Sequence, residues 1–172
     1  RRNAQNRGRA LCHASAGCEK LMRNGSGSEH ATAVVVGSHA VLIRGASGSG
    51  KSKLAWDLLD AARQGRIHFA RLVADDRAAL SAVSGKLIVS APKTIEGMIE
   101  LRGAGVHSVP FEPFAAVGLV VDLAAEDGER VPSPSALRTE ILGVRLPRVP
   151  VPKGSDPLPL VLIALAADAP DG

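Results

Sequence analysis

The stretch Gly45-Ala46-Ser47-Gly48-Ser49-Gly50-Lys51-Ser52 has the residue types and spacing most able to do chemistry in this chain. It reads G-x-x-x-x-G-K-S, a phosphate-binding loop. Glycines let the backbone curl through conformations that other residues avoid, so successive N–H groups point inward at a polyphosphate. A helix starting near Lys51 adds the positive end of its dipole. The Lys51 ammonium can reach the β- and γ-phosphates, and the Ser52 hydroxyl can bind Mg²⁺. Phosphoryl transfer also needs a carboxylate for the metal and one to orient or deprotonate the acceptor. Asp75-Asp76, Glu100 and His30 are the candidates. Adjacent strand residues point to opposite faces, so only one of the two aspartates enters a cleft unless the chain turns there. Taken alone, Asp75-Asp76 also fits a solvated acidic turn, Glu100 the exposed side of an edge strand, and His30 an isolated histidine without a role.

Such a loop works only between a strand and a helix, and the flanking patterns supply both. Residues 33–36 and 40–43 are short β-rich runs separated by Gly37-Ser38, a plausible tight hairpin turn. After the loop, residues 51–64 place Leu54, Leu58 and Ala61 at helical spacing, with Gly65 suited to ending the helix. A Gly-Ser turn that merely resembles a phosphate loop, in a chain with 18 glycines, lacks this context. Residues 71–74 form a short strand ending at Asp75-Asp76, the position where an α/β sheet usually carries its site. Further strands are expected at 78–83, 86–90, 98–102, 117–123 and 141–146. Pro132, Pro134, Pro147, Pro150 and Pro152 make the later connections rich in turns. The apolar stretch 158–168 favours a helix, expected in the core rather than at a subunit interface. The expected organisation is a tail or upstream remnant at 1–29, a catalytic domain at 30–168 and a C-terminal tail at 169–172.

Composition narrows the function classes. In 172 residues, 45% are hydrophobic and 22% charged, ordinary globular usage. Aromatics are 2%, which disfavours nucleic-acid binding by base stacking. The net charge of +4 resides in the tail: residues 1–23 hold six basic side chains against Glu19 alone. The basic excess therefore marks no binding face. Cys12 and Cys18 both lie in that tail and make no disulfide framework or zinc set, so a reducing compartment, the cytoplasm, is expected. No apolar run reaches the length of a membrane span, and Arg1-Arg2 has no apolar segment after it to make a signal peptide.

Five segments, taken in order, resemble the catalytic domain of HPr kinase/phosphorylase. His30-Ala31-Thr32-Ala33-Val34 resembles the family's H-G-x-x-V first strand, at the right distance from the phosphate loop, which itself matches. Leu72-Val73-Ala74-Asp75-Asp76-Arg77 is nearly identical to the family's L-V-A-D-D-R. Ile99-Glu100-Leu101-Arg102-Gly103-Ala104-Gly105-Val106 is similar to the family's signature of I-E, an aliphatic residue, then R-G-x-G. Glu129-Arg130-Val131 resembles a short segment holding an active-site arginine. The resemblance spans about residues 30–168. It implies an α/β fold, a mixed sheet with a phosphate loop like the phosphoenolpyruvate-carboxykinase core. It implies an ATP- and Mg²⁺-dependent protein-serine kinase acting on the phosphocarrier HPr. Asp76 would take the proton from the acceptor serine and His30 would support the catalytic carboxylate. Lys51 would bind the phosphates, while Ser52 and Glu100 would hold the metal. Arg102 and Gly103–Val106, Gly105 among them, would shape the acceptor side with Asp75 nearby, and Arg130 would stabilise the transferred charge.

Departures from the pattern qualify these expectations. Val151-Pro152-Lys153-Gly154-Ser155-Asp156 stands where the family has V-R-P-G-R-N, a loop associated with dephosphorylation, and it carries neither arginine. Lys153 supplies a point charge without the bidentate grip of guanidinium, which weakens the case for the reverse, phosphorolytic reaction. Only a short stretch precedes His30 where longer members carry another domain; the chain resembles the short forms of α-proteobacteria. Longer members assemble as hexamers, so the resemblance admits a homo-oligomer. Two other readings are compatible with the loop: a different P-loop phosphotransferase, or a non-catalytic module that binds HPr under nucleotide control.

Overall fold

The computed structural model describes residues 26–167. Two runs with the strongest β character make a hairpin, β2 (Thr32–Val36) and β3 (His39–Arg44), in antiparallel register with Val36 opposite His39. The two-residue turn falls at Gly37-Ser38 as the sequence suggests, with Gly37 at φ 61°. β4 (Ala70–Ala74) pairs with the other side of β2. β9 (Phe114–Leu123) runs parallel to β3, and β11 (Val144–Val151) runs parallel to β9. β5 (Ala78–Val83) and β6 (Lys86–Ser90) form a hairpin whose second strand joins the start of β9, completing a nine-stranded mixed sheet with β1 (Ser26–Glu29) and β10 (Arg138–Ile141).

The central strands read as continuous apolar runs because both their faces are buried. Val34, Val41, Ile43, Leu72, Leu119 and Val121 face α1 (Lys51–Arg63), meeting Leu54, Ala55 and Leu58. Their neighbours Ala33, Val35, Ala40, Leu42 and Val73 face the opposite way, against Leu80, Leu87, Val89, Ile141 and Leu146 from the two outer hairpins. The α1 helix ends as expected: Gly65, at φ 73°, follows the cap residue Gln64, and Arg66 N–H returns to the Ala61 carbonyl.

Several expectations are corrected. Ser26–Glu29, expected in the tail, is an edge strand paired with Ala78–Ser81. Its small polar residues give no apolar alternation, so only the partner strand reveals it. The rest of the expected tail, with Cys12 and Cys18, and the tail at 169–172 lie outside the described residues. The single strand expected at 141–146 is two strands, because Leu142 and Gly143 both take positive φ (50° and 76°) in a two-residue hairpin turn. β11 then continues through Pro147 and Pro150. It pairs with β10 through its first half and β9 through its second, so among the described residues each half has one edge without a strand partner, where a missing N–H is tolerated. The apolar helix α2 (Pro157–Ala167) is a core element on one face only: Val161 is buried and Leu158, Ala164 and Leu165 pack against the α1-side core, but Ile163 is 68% exposed. Among the described residues, no helix is long and apolar enough to cross a membrane.

Candidate active site

The phosphate loop connects the end of β3 to the start of α1, and its glycines are there for space as well as conformation. Gly45 has φ 148°, and a Cβ there would sit 2.6 Å from Ser49 Oγ and 3.2 Å from both Leu123 Cβ and the Leu123 carbonyl oxygen. Gly48 and Gly50 take φ 78° and 99°. Ser49 N–H closes the loop onto the Ala46 carbonyl at 3.1 Å. The first N–H groups of α1 have no intrahelical acceptor and face the loop's mouth. The Lys51 ammonium lies over the loop, donating to the carbonyls of Gly45 (3.0 Å) and Ala46 (3.3 Å). Two of its three N–H bonds hold it in place, leaving one to meet a phosphate.

Asp75 is the hub of the site. Its side chain is almost completely buried at the end of β4. One carboxylate oxygen, Oδ1, accepts from Ser52 Oγ at 2.7 Å and from Thr32 Oγ1 at 2.8 Å. The other, Oδ2, accepts from the Glu100 backbone N–H at 2.9 Å. Three elements are thus tied to one carboxylate: β2 through Thr32, α1 through Ser52, and β7 (Met98–Leu101) through Glu100. Such charge-assisted bonds are about twice as strong as neutral ones. Thr32 carries no local signal beyond its strand propensity, so sequence reasoning gave it no role.

Both aspartates reach the cleft because the chain turns between them. Arg77 N–H donates back to the Asp75 carbonyl at 2.8 Å, closing a three-residue turn centred on Asp76 at φ 65°. Aspartate tolerates this left-handed region better than most residues, and strain of this kind clusters at functional sites. The turn leaves the Asp76 side chain 66% exposed in the cleft, with Oδ1 3.0 Å from His30 Nδ1. His30 Nδ1 is also 3.1 Å from the Asp76 carbonyl oxygen. Both neighbours of that nitrogen are acceptors, which fixes the proton on Nδ1.

The wall opposite the loop is a two-stranded sheet, β7 with β8 (Gly105–Ser108). Every residue of β8 is exposed, so it has no burial pattern, and the sequence reading missed it. Ile99 anchors this hairpin in the α1-side core and turns Glu100 outward into the cleft. Arg102 extends from the hairpin turn over the loop: its guanidinium is 3.3 Å from where a Cβ on Gly48 would stand. The resulting cleft, about 720 Å³, is lined by His30, Ser47, Gly48, Gly50, Lys51, Ser52, Asp75, Asp76, Glu100, Arg102, Gly103 and Gly105, with Lys53 and Leu101. A larger groove of about 860 Å³ lies at the other end of β3, around the Gly37-Ser38 turn. It has no carboxylate and no phosphate loop, so the smaller cleft is the candidate site. Gly45, Ala46 and Ser49 complete the loop behind its lining.

Arg130 and Lys153 do not line the cleft. They sit on the segments that follow β9 and β11. Those strands run parallel to β3, with Arg44 level with Asp122 and Asp122 level with Pro150. All three connections therefore leave the same edge of the sheet, where ligands bind in open α/β folds.

Beneath that edge lies a charged ladder that the sequence reading did not single out. Arg44 grips Asp122 with Nε (2.7 Å) and an amino group (2.8 Å). Arg148 Nε donates to the same carboxylate at 2.5 Å, and its two amino groups reach Asp127 at 2.6 and 2.9 Å. Burial alone would push the Asp122 carboxyl up, but hydrogen bonds from Arg44 and Arg148 prevail and hold it below the usual range. The bond from Arg148 likewise lowers Asp127. Each pair is far apart in sequence, and only the strand registers bring them together.

Comparison with known proteins bears on the family and the fold. Residues 24–167 match the family model described as the HPr serine kinase C-terminal domain. The HPr kinase/phosphorylase of Geobacillus thermodenitrificans is 36% identical over 134 residues, covering 72% of this chain and 41% of that protein. That of Halalkalibacterium halodurans is 31% identical over 149 residues, covering 80% and 46%. A solved structure of the HPr(Ser) kinase/phosphatase from Coxiella burnetii superposes with a TM-score of 0.66 at 25% identity, covering 82% of this chain and 89% of that one. The chain spans less than half the length of these two curated relatives.

Proposed function

The chain belongs to the family of the HPr serine kinase C-terminal domain, and from that premise we propose that it transfers the γ-phosphoryl group of ATP to a serine of HPr in the cytoplasm. The observation that carries the reading is the pair of adjacent aspartates with separated tasks: Asp75 buried and triply bonded beside the loop, Asp76 exposed at its mouth.

The loop N–H groups and Lys51 hold the polyphosphate, and Arg102 closes over it. Ser52 Oγ and the Asp75 carboxylate, hard oxygen donors 2.7 Å apart, fit Mg²⁺, an ion that keeps phosphate and water as most of its ligands. Glu100 faces the same cleft and is the further carboxylate available to it. When bound, Mg²⁺ neutralises charge on the phosphate oxygens. Asp76 accepts the proton of the incoming serine hydroxyl while the serine oxygen bonds to the γ-phosphorus and the bond to the ADP oxygen breaks. His30 keeps Asp76 oriented through its Nδ1–H. Arg130 meets the charge on the transferred group from the neighbouring connection. Positioning and charge neutralisation supply most of the catalysis in such transfers. For the reverse attack of inorganic phosphate on phosphoserine, the connection after β11 offers Lys153 alone.

The test is a transfer assay with Mg²⁺, radiolabelled ATP and HPr, beside HPr whose regulatory serine is replaced by Ala. Label on the first and not the second is expected. ATP binding without label on HPr would favour the non-catalytic module. ATP turnover with label elsewhere would favour another phosphotransferase.

A further inference from the structure

Arg148 makes contacts that the catalytic reading does not use. Its amino groups hold Asp127 bidentately at 2.6 and 2.9 Å, and one of them also donates to the Ala136 carbonyl at 2.9 Å. One guanidinium therefore pins both ends of the 127–136 connection, in which Arg130 lies. The third arm, Nε, binds Asp122, whose two oxygens also hold Arg44. Arg44 immediately precedes Gly45, the first residue of the phosphate loop, and Gly45 rests against Leu123. Backbone contacts reinforce the same joint. Ala125 N–H donates to the Val151 carbonyl at 2.9 Å, and a Cβ on Gly128 would lie 2.8 Å from Pro152 N.

A planar guanidinium with four of its five N–H donors committed to three residues has one orientation, unlike an ammonium. The Arg148 side chain is 13% exposed and Asp122 is 16% exposed, so the Asp122 end of the ladder is little screened by solvent, while the Asp127 end is half-exposed. We propose that Arg148 and Asp127 are positioning residues, a clamp that fixes the 127–136 connection, and Arg130 with it, against the root of the phosphate loop. This rests on the kinase reading for the role of Arg130, but the clamp itself does not. The ladder sets the distance between the groups that hold the phosphates and the arginine that meets the transferred charge.

Asp127 is the residue to change, because its side chain is half-exposed and its loss threatens the fold least. In Asp127→Ala, amide hydrogen exchange across 124–136 should quicken while the peptide spanning 45–52 exchanges as in the wild type. Affinity for a fluorescent ATP analogue should stay within about two-fold, while turnover with HPr falls about ten-fold, a displacement effect rather than a binding one. Asp127→Glu, which retains the carboxylate, should recover part of the turnover. Unchanged exchange across 124–136 would overturn the clamp. Quickened exchange with wild-type turnover would overturn its positioning role, as would equal losses in nucleotide affinity and turnover. If the wild type fails to label HPr, the kinase reading is what fails, and the exchange pattern still decides the clamp.

Discussion

Replacing Thr32 with Val tests whether Asp75 is held as the structure places it. Thr32 is fully buried on β2, and its hydroxyl donates to Asp75 Oδ1 at 2.8 Å. Valine has nearly the same shape, so no cavity opens and the change isolates one hydrogen bond. A bond to a charged acceptor contributes about 1.5–3 kcal/mol. Ser52 Oγ and the Glu100 N–H remain on the same carboxylate, so the loss should be about 2 kcal/mol, in the lower part of that range. For a domain of this size, that lowers Tm by roughly 6 °C. The carboxylate also loses its only tie to β2 among these bonds and can swing with Ser52. Transfer to HPr should fall about ten-fold through misplacement. Thr32→Ser is the control. It retains the donor and removes a methyl, so it should lose some stability to the small void but retain most of the turnover. Melting curves and steady-state rates on both variants settle the matter. Wild-type Tm and turnover in Thr32→Val would refute the argument. Equal damage in both variants would show that the methyl packing, not the hydroxyl, matters.

Four other substitutions test different parts of the site. Lys51→Ala removes the ammonium that spans the loop and should reduce transfer by about 100-fold or more; near-wild-type rates would take the loop out of the mechanism. Asp76→Asn should leave ATP affinity nearly intact while transfer falls about 100-fold, because it removes a base and no phosphate ligand. Asp75→Asn should instead weaken Mg²⁺-nucleotide binding in titration calorimetry, and the opposite assignment would reverse their roles. Asp122→Asn leaves Arg44 and Arg148 facing one uncharged group and should cost about 3 kcal/mol near neutral pH. The folded-state pKa of Asp122 is lowered, so its contribution is complete above the unfolded value of about 3.9 and lost as pH falls through the lower folded value. Urea melts should therefore show a wide gap between wild type and variant near neutral pH that closes in strong acid. A gap independent of pH would mean the ladder's charge is not what stabilises the joint.

Much of this protein was legible along the chain because it depends on local rules. The β-rich runs around Gly37-Ser38, the glycine spacing of the phosphate loop and the helical period after Lys51 each concern residues within a few positions of one another. Their conformations follow from propensity and sterics before any partner arrives. His30, Asp75, Asp76 and Glu100 stand out as chemically able residues at suggestive places, and Arg102 enters through the resemblance alone. The resemblance assigned them roles, and their gathering into one cleft is a property of the fold. Elements without burial periodicity stayed hidden: β1 is small and polar, and β8 is exposed along its length. Only tertiary structure decided what Asp75 touches, since its donors come from 43, 23 and 25 residues away. It also decided that both aspartates enter the cleft, through a turn whose positive φ no pattern announces, and that Arg44, Asp122, Arg148 and Asp127 form one ladder. Hydrogen bonds and ion pairs act over about 3 Å, so a chain cannot show them until strand register brings distant residues together.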